Sequence, residues 1–168
     1  MKILIYGFGP YGPYKQNFSE KVIEKIKKRN NLKKVIFPVK FKKDVFLEKI
    51  KKFKPDFILG LGQYPKGKKI RIERKTMNKW KENEKEKIKK ISKKGPRCYF
   101  LNLKLKKNKE AWLSYKTTDY ACNFSMYVIM DFIKAKNKNI KFGFLHIPFG
   151  NIDKVAKFVE SRIGSFAV

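Results

Sequence analysis

Acidic residues are scarce in this sequence: 14 Asp and Glu stand against 43 Lys and Arg, a formal net charge of +29 over 168 residues. Such an excess points towards polyanions, nucleic acid above all. The lysines, however, are spread through every segment (Lys27-Lys28, Lys51-Lys52, Lys89-Lys90, Lys106-Lys107) and form no single stripe. Arginine, the better residue for phosphate forks and base edges, is sparse. The charge therefore reads as lysine filling solvent faces, with non-specific polyanion binding at low salt as its by-product. Long apolar runs are also missing, so no membrane partner is expected. The Met1–Tyr6 opening lacks the charged, apolar, small order of a secretory leader. Two cysteines in unlike contexts, Cys98 and Cys122, make no disulfide framework, and a reducing cytoplasm is the expected location. No metal or cofactor is implied.

What is present fits one globular domain over residues 1–168: hydrophobic content is 42% and aromatic content 15%. Ile3–Tyr6 is a short apolar run ending in glycine, expected as a buried strand. Gly7-Phe8-Gly9-Pro10-Tyr11-Gly12 formally matches the dinucleotide fingerprint. Pro10 and Pro13 suit neither a direct turn into a helix nor N–H donation to a pyrophosphate, so the stretch reads as a rigid, aromatic-bearing loop. Asn17 or Ser19 caps a helix running to about Arg29. A strand is expected at 34–39, an amphipathic helix at 44–53, and a third strand at 57–61 ending in Gly62-Gln63. This alternation predicts an α/β fold, a three-layer αβα sandwich with a mostly parallel twisted sheet. Ligands of such sheets bind beyond the carboxyl ends of the strands.

Residues 69–74 alternate as a further strand. The almost wholly charged segment 79–94 reads equally as an exposed helix or a loop. A strand at 112–115 leads to Cys122, followed by an apolar helix to about Ala135, a strand at 140–147 and a helix at 152–163. Cys122 thus falls at or near a helix N-terminus, where unpaired N–H groups and the helix dipole favour a thiolate. His146, the only histidine, ends a strand, and Glu73 ends another. Thiol attack on a carbonyl needs a nucleophile, an imidazole and a group that orients it, and these three residues supply one of each.

The motifs around them carry a resemblance. Tyr6-Gly7-Phe8-Gly9-Pro10-Tyr11-Gly12 with Asn17 resembles a T-G-F-x-P-F-G-G…N opening. Lys54-Pro55-Asp56 and Leu61-Gly62-Gln63 resemble K-P-D…V-G-Q, and Ile72-Glu73-Arg74 with Asn78 resembles I-E-R-x-A-x-N. Cys98-Tyr99-Phe100 with Leu103 resembles A-Y-F…L-P. Tyr120-Ala121-Cys122-Asn123 with Met126-Tyr127 resembles Y-x-C-N…M-Y, and Gly143–Phe149 resembles G-F-I-H-V-P-Y. In this order they are similar to the type I pyroglutamyl peptidases (pyrrolidone-carboxylate peptidases). The resemblance implies a cysteine peptidase that removes N-terminal pyroglutamate from peptides, with Cys122 as nucleophile, His146 as base and Glu73 as orienting acid. It implies a lactam pocket walled by Phe8 and Tyr11, with Tyr120 near the nucleophile and Asn17 and Gln63 as polar positions. A homo-oligomer, dimer or tetramer, is implied as well.

The chain departs from the pattern in four places. An arginine-bearing R-I-P-D-N-E-G loop is replaced by the segment 79–94, and Thr117-Thr118 puts bulk where a small Ala-Gly pair precedes the nucleophile. The helix before that strand is cut short, and the segment after Phe149 lacks a longer loop. The alternative expectation is a catalytically impaired homologue acting as a basic, polyanion-binding protein.

Overall fold

Every residue of the first strand, β1 (Ile3–Phe8), is buried, as a strand covered on both faces requires. A loop follows in which Gly12 takes a left-handed φ of 52°. Asn17 then caps α1 (Phe18–Lys25), its side chain accepting the Ser19 N–H at 3.0 Å. β2 (Leu32–Phe37), α2 (Lys43–Phe53), β3 (Phe57–Gln63), β4 (Ile70–Glu73), β5 (Lys75–Met77), β6 (Cys98–Phe100) and β7 (Ala111–Ser114) come next. The chain closes with α3 (Ala121–Ala135), β8 (Lys141–Ile147) and α4 (Ile152–Gly164). The computed structural model describes residues 1–136 and 138–167.

Six strands form one sheet in the order β2-β1-β3-β8-β4-β7. The first four run parallel, β4 is antiparallel to β8, and β7 runs parallel to β4. β5 and β6 make a separate antiparallel ribbon. Alternation along each strand decides what each face buries. Leu4, Tyr6 and Phe144 meet Phe46 of α2 and Phe124 of α3; Ile5, Leu59 and Leu145 meet Ile23 of α1 and Val159 of α4. Each fully buried Leu, Ile or Phe contributes about 1.5–3 kcal/mol. Helices therefore cover both faces, and the expected αβα sandwich with a mostly parallel sheet is what the chain forms. Among the described residues, no helix is long and apolar enough to cross a membrane.

Three local expectations change. α1 stops at Lys25 rather than Arg29, because beyond Ile26 no apolar residue remains to bury and the Lys27 N–H donates instead to Glu160 Oε1 at 2.7 Å. β2 shifts to Leu32–Phe37, since Pro38 has no N–H for the ladder. The segment 79–94 is neither a helix nor an open loop. Trp80 and Lys89 exchange backbone hydrogen bonds at 2.9 and 2.8 Å, and Asn78 closes the base by accepting from Ile91 and Ser92 and donating to Ser92 and Gly95 carbonyls. Trp80 then stacks on Phe41 with centroids 4.9 Å apart.

Asn123 ties α3 to this region. Its Oδ1 accepts from Thr76 Oγ1 and the Met77 N–H at 2.8 and 2.9 Å, and its Nδ2 donates to the Met77 and Lys79 carbonyls at 3.0 and 2.8 Å. With Asn123 at 0% exposure, Asn123→Ala removes these four hydrogen bonds from a fully buried position. We expect a loss of roughly 3 kcal/mol in urea unfolding; a loss below about 1 kcal/mol would show that this amide does not hold the helix.

Candidate active site

The strand ends and one helix start determine the site. Residues 60, 62, 144 and 146 lie on the sheet face beneath α3, because their neighbours Leu59, Leu61, Leu145 and Ile147 fill the opposite core. Glycines at 60 and 62 leave room there. A methyl at Gly62 would stand 2.7 Å from Cys122 Sγ, 3.0 Å from His146 Cδ2 and 3.0 Å from Phe144 Cζ. The sulfur and the imidazole thus converge over a position that has to be glycine. Cys122 is the second residue of α3, within the first turn, whose N–H groups lack intrahelical partners.

β4 supplies the next group. Its antiparallel register sets Arg71 opposite His146 and Glu73 opposite Phe144, and the Ile70 and Ile72 side chains go to the other face. Glu73, at 1% exposure, reaches diagonally to His146: Oε1 lies 2.8 Å from Nδ1. With Nδ1 engaged, Nε2 is the ring nitrogen left for the sulfur. Burial pushes the His146 pKa down, but the Cys122 sulfur and then Glu73 outweigh it and raise it from 6.5 to about 9.

Sequence reasoning passed over Arg71, which is 7% exposed. Its Nη2 is 3.0 Å from the same Glu73 Oε1 and donates to Ser114 Oγ at 3.0 Å. The signal was legible: an i, i+2 pair on a strand shares one face, and Ile70 and Ile72 mark the other as apolar. Arg74, on the opposite side of Glu73 in sequence, donates to the Leu103 carbonyl at 3.1 Å. Neither arginine makes the exposed ion pair that the Arg-Ile-Glu-Arg string suggests by itself.

Beside Cys122 lies a cleft enclosing about 270 Å³ of empty space, part of it open to solvent. Phe8, Tyr11, Asn17, Gln63 and Tyr120, the five positions expected around the lactam, all line it, together with Val39 and Ala121. The Tyr11 and Tyr120 rings are 6.1 Å apart at 46°. Burial raises both phenol pKa values, so these walls stay uncharged at neutral pH. The two polar residues are already engaged. Gln63 Oε1 accepts from the Phe18 N–H at 2.8 Å and its Nε2 donates to Tyr11 Oη at 3.1 Å. Asn17 Nδ2 donates to the Gly9 carbonyl at 3.1 Å while Oδ1 caps α1. Thr117 and Thr118 are absent from the lining and Thr118 is exposed, so their bulk does not fill the cleft. A wider cleft, of about 750 Å³, sits between Lys68, Glu110 and Phe158 and contains none of the three converging side chains. Among the described residues, no group of three or more His, Cys, Asp or Glu could hold a metal ion.

Comparison with known proteins gives one consistent result. The family model described as pyroglutamyl peptidase matches residues 1–162. A pyrrolidone-carboxylate peptidase of Thermosipho africanus is 36% identical over 171 residues, covering 89% of this chain and 82% of its own. One from Finegoldia magna is 31% identical over 195 residues, covering 97% and 92%. Among solved structures, pyroglutamyl peptidase I from Bacillus amyloliquefaciens superposes with a TM-score of 0.81 at 26% identity, covering 95% of this chain and 91% of that one. On its sequence match and on its fold, the chain belongs to the pyroglutamyl peptidase family.

Proposed function

We propose that this protein removes N-terminal pyroglutamate from peptides by thiol catalysis, with Cys122, His146 and Glu73 as its triad. The observation that carries the reading is the convergence of Cys122 and His146 over Gly62, with the Glu73–Nδ1 contact of 2.8 Å behind them and the five-residue cleft alongside. A flat, uncharged lactam suits walls made of Phe8, Tyr11 and Tyr120. Asn17 and Gln63 serve it by holding the Gly9 loop and Tyr11 in position.

The chemistry follows from the arrangement. With the proton already on His146 Nε2, the Cys122 sulfur bonds through Sγ to the acyl carbon of the pyroglutamyl residue. The carbonyl electron pair moves onto oxygen, which the free N–H groups at the start of α3 stabilise. When that pair returns, the bond to the peptide nitrogen breaks and the leaving amine takes the proton from His146. Water then gives a proton back to His146 and its oxygen displaces sulfur, releasing 5-oxoproline. Throughout, Glu73 holds the Nδ1–H tautomer. A polyanion-binding role rests on the net charge of +29 and the lysine-rich segment 79–94, and of the few arginines Arg71 and Arg74 are buried.

Hydrolysis of a pyroglutamyl chromogenic amide tests the reading. Cys122→Ser is expected to lower kcat by about a thousandfold or more and Glu73→Gln by about ten- to a hundredfold. Full activity in Cys122→Ser would sink the assignment. Gly62→Ala forces its methyl against Sγ and the imidazole, so it should cost at least tenfold in kcat, by order of magnitude, while the protein still folds. Unchanged kinetics would mean that the glycine does not set the sulfur–ring approach.

His146 gives a pH test free of overlap, since it is the only histidine. Its ring proton resonance should titrate near pH 9 and move lower in Cys122→Ser. Because the folded value lies above 6.5, the stability contributed by this group is complete below pH 6.5 and is lost as pH rises through about 9. Urea unfolding at pH 6 and pH 9 should show that decrease, and Cys122→Ser should flatten it. A resonance titrating at or below 6.5 would contradict the pairing.

A further inference from the structure

Arg71 belongs to none of the motifs and does not line the cleft, yet its guanidinium is buried beside the acid of the proposed triad. Nη2 lies 3.0 Å from Glu73 Oε1 and 3.0 Å from Ser114 Oγ. The guanidinium carbon lies 4.7 Å from the Tyr64 ring centroid and 5.8 Å from that of Trp112. A saturated Arg–carboxylate pair uses two parallel hydrogen bonds, one to each oxygen. Here a single oxygen is shared. Glu73 Oε1 faces both the imidazole and the guanidinium, while Oε2 and Arg71 Nε, both buried, have no hydrogen-bond partner among the described residues.

We infer that Arg71 is a positioning residue that acts through Glu73 Oε1, limiting how tightly that carboxylate holds the imidazolium proton. The inference rests on the triad reading above. Its logic is charge alternation. Reading outward from the sulfur, the groups are Cys122, the His146 ring, the Glu73 carboxylate and the Arg71 guanidinium. Without the last, a buried carboxylate backs the imidazolium with nothing to offset it. The imidazolium then becomes a weaker acid towards the leaving amine. The groups that face His146 are Glu73 and Arg71 from β4, Cys122 from α3, and Tyr64 just beyond β3, whose ring centroid is 6.3 Å away. Phe144 on its own strand, at 5.1 Å, carries no charge. From β7, Ser114 holds the guanidinium in place.

NMR titration of the single histidine, beside kinetics on a pyroglutamyl amide, tests this. Arg71→Gln keeps a donor but removes the charge; the His146 midpoint should rise by about one pH unit. The alkaline limb of kcat should move with it, and kcat should fall about three- to tenfold. KM should stay within about twofold, because Arg71 does not line the cleft. Arg71→Lys restores the charge and should bring the midpoint back to within about half a unit of wild type. An Arg71→Gln midpoint equal to or below wild type overturns the inference. If Arg71→Gln does not fold, Ser114→Ala decides: it leaves Nη2 to Glu73 alone and should lower the midpoint, whereas an unchanged midpoint is a refutation. A wild-type protein that cleaves no pyroglutamyl amide overturns the proposed function, and the titration still decides the role of Arg71.

Discussion

A carboxylate taken almost wholly out of water must be answered by charge and hydrogen bonds, or it protonates. Glu73 is answered on one oxygen by His146 and Arg71, and much of the architecture serves that contact. It requires β4 to enter the sheet reversed, next to β8, so that Arg71 lies across from His146 and Glu73 one diagonal away. It requires β7 to bring Ser114 up to the guanidinium from the outer edge. It also requires small residues beneath α3, so that the ring held by Glu73 can meet the sulfur of Cys122 over Gly62.

The cleft follows a different economy. Its polar side chains are spent on the protein, with Gln63 bracing Tyr11 and the start of α1 and Asn17 capping that helix while gripping the Gly9 carbonyl. What faces the space is mainly aromatic surface. A ring held by such a bond, as Tyr11 is, loses little freedom when a flat ligand enters, and preorganisation of this kind favours binding of small, neutral rings. The closed segment 79–94 extends the arrangement: Trp80 stacks on Phe41, whose ring meets that of Tyr120, and the Lys81 N–H donates to the Asp119 carbonyl just before the helix.

Much of this was legible in the chain. Apolar runs at Ile3–Tyr6 and 57–61 separated by amphipathic stretches specified parallel strands with helices on both faces, because period 2 and period 3.6 bury different sets of residues. Ordered motifs singled out Cys122, His146, Glu73 and the five cleft residues; those five gather beside Cys122, and Glu73 meets His146. Element ends were less legible. The true end of α1 depends on Glu160, distant in sequence, taking the Lys27 N–H. Segment 79–94 lacks periodicity, and it is closed by Asn78 hydrogen bonds that no local pattern announces. Arg71 was readable in principle, since its spacing from Glu73 put both on one strand face. A strand flanked by lysines, though, gives no hint that this face is buried.

By itself, then, the sequence determined the αβα frame, the family, and the residue types able to perform thiol chemistry, because periodicity and ordered motifs are properties of the chain alone. Tertiary structure decided which way β4 runs, that Arg71 shares an oxygen of Glu73 with His146, and that Asn17 and Gln63 brace the cleft. Those outcomes depend on register between strands distant in sequence and on the desolvation of charges. Neither exists until the sheet has closed.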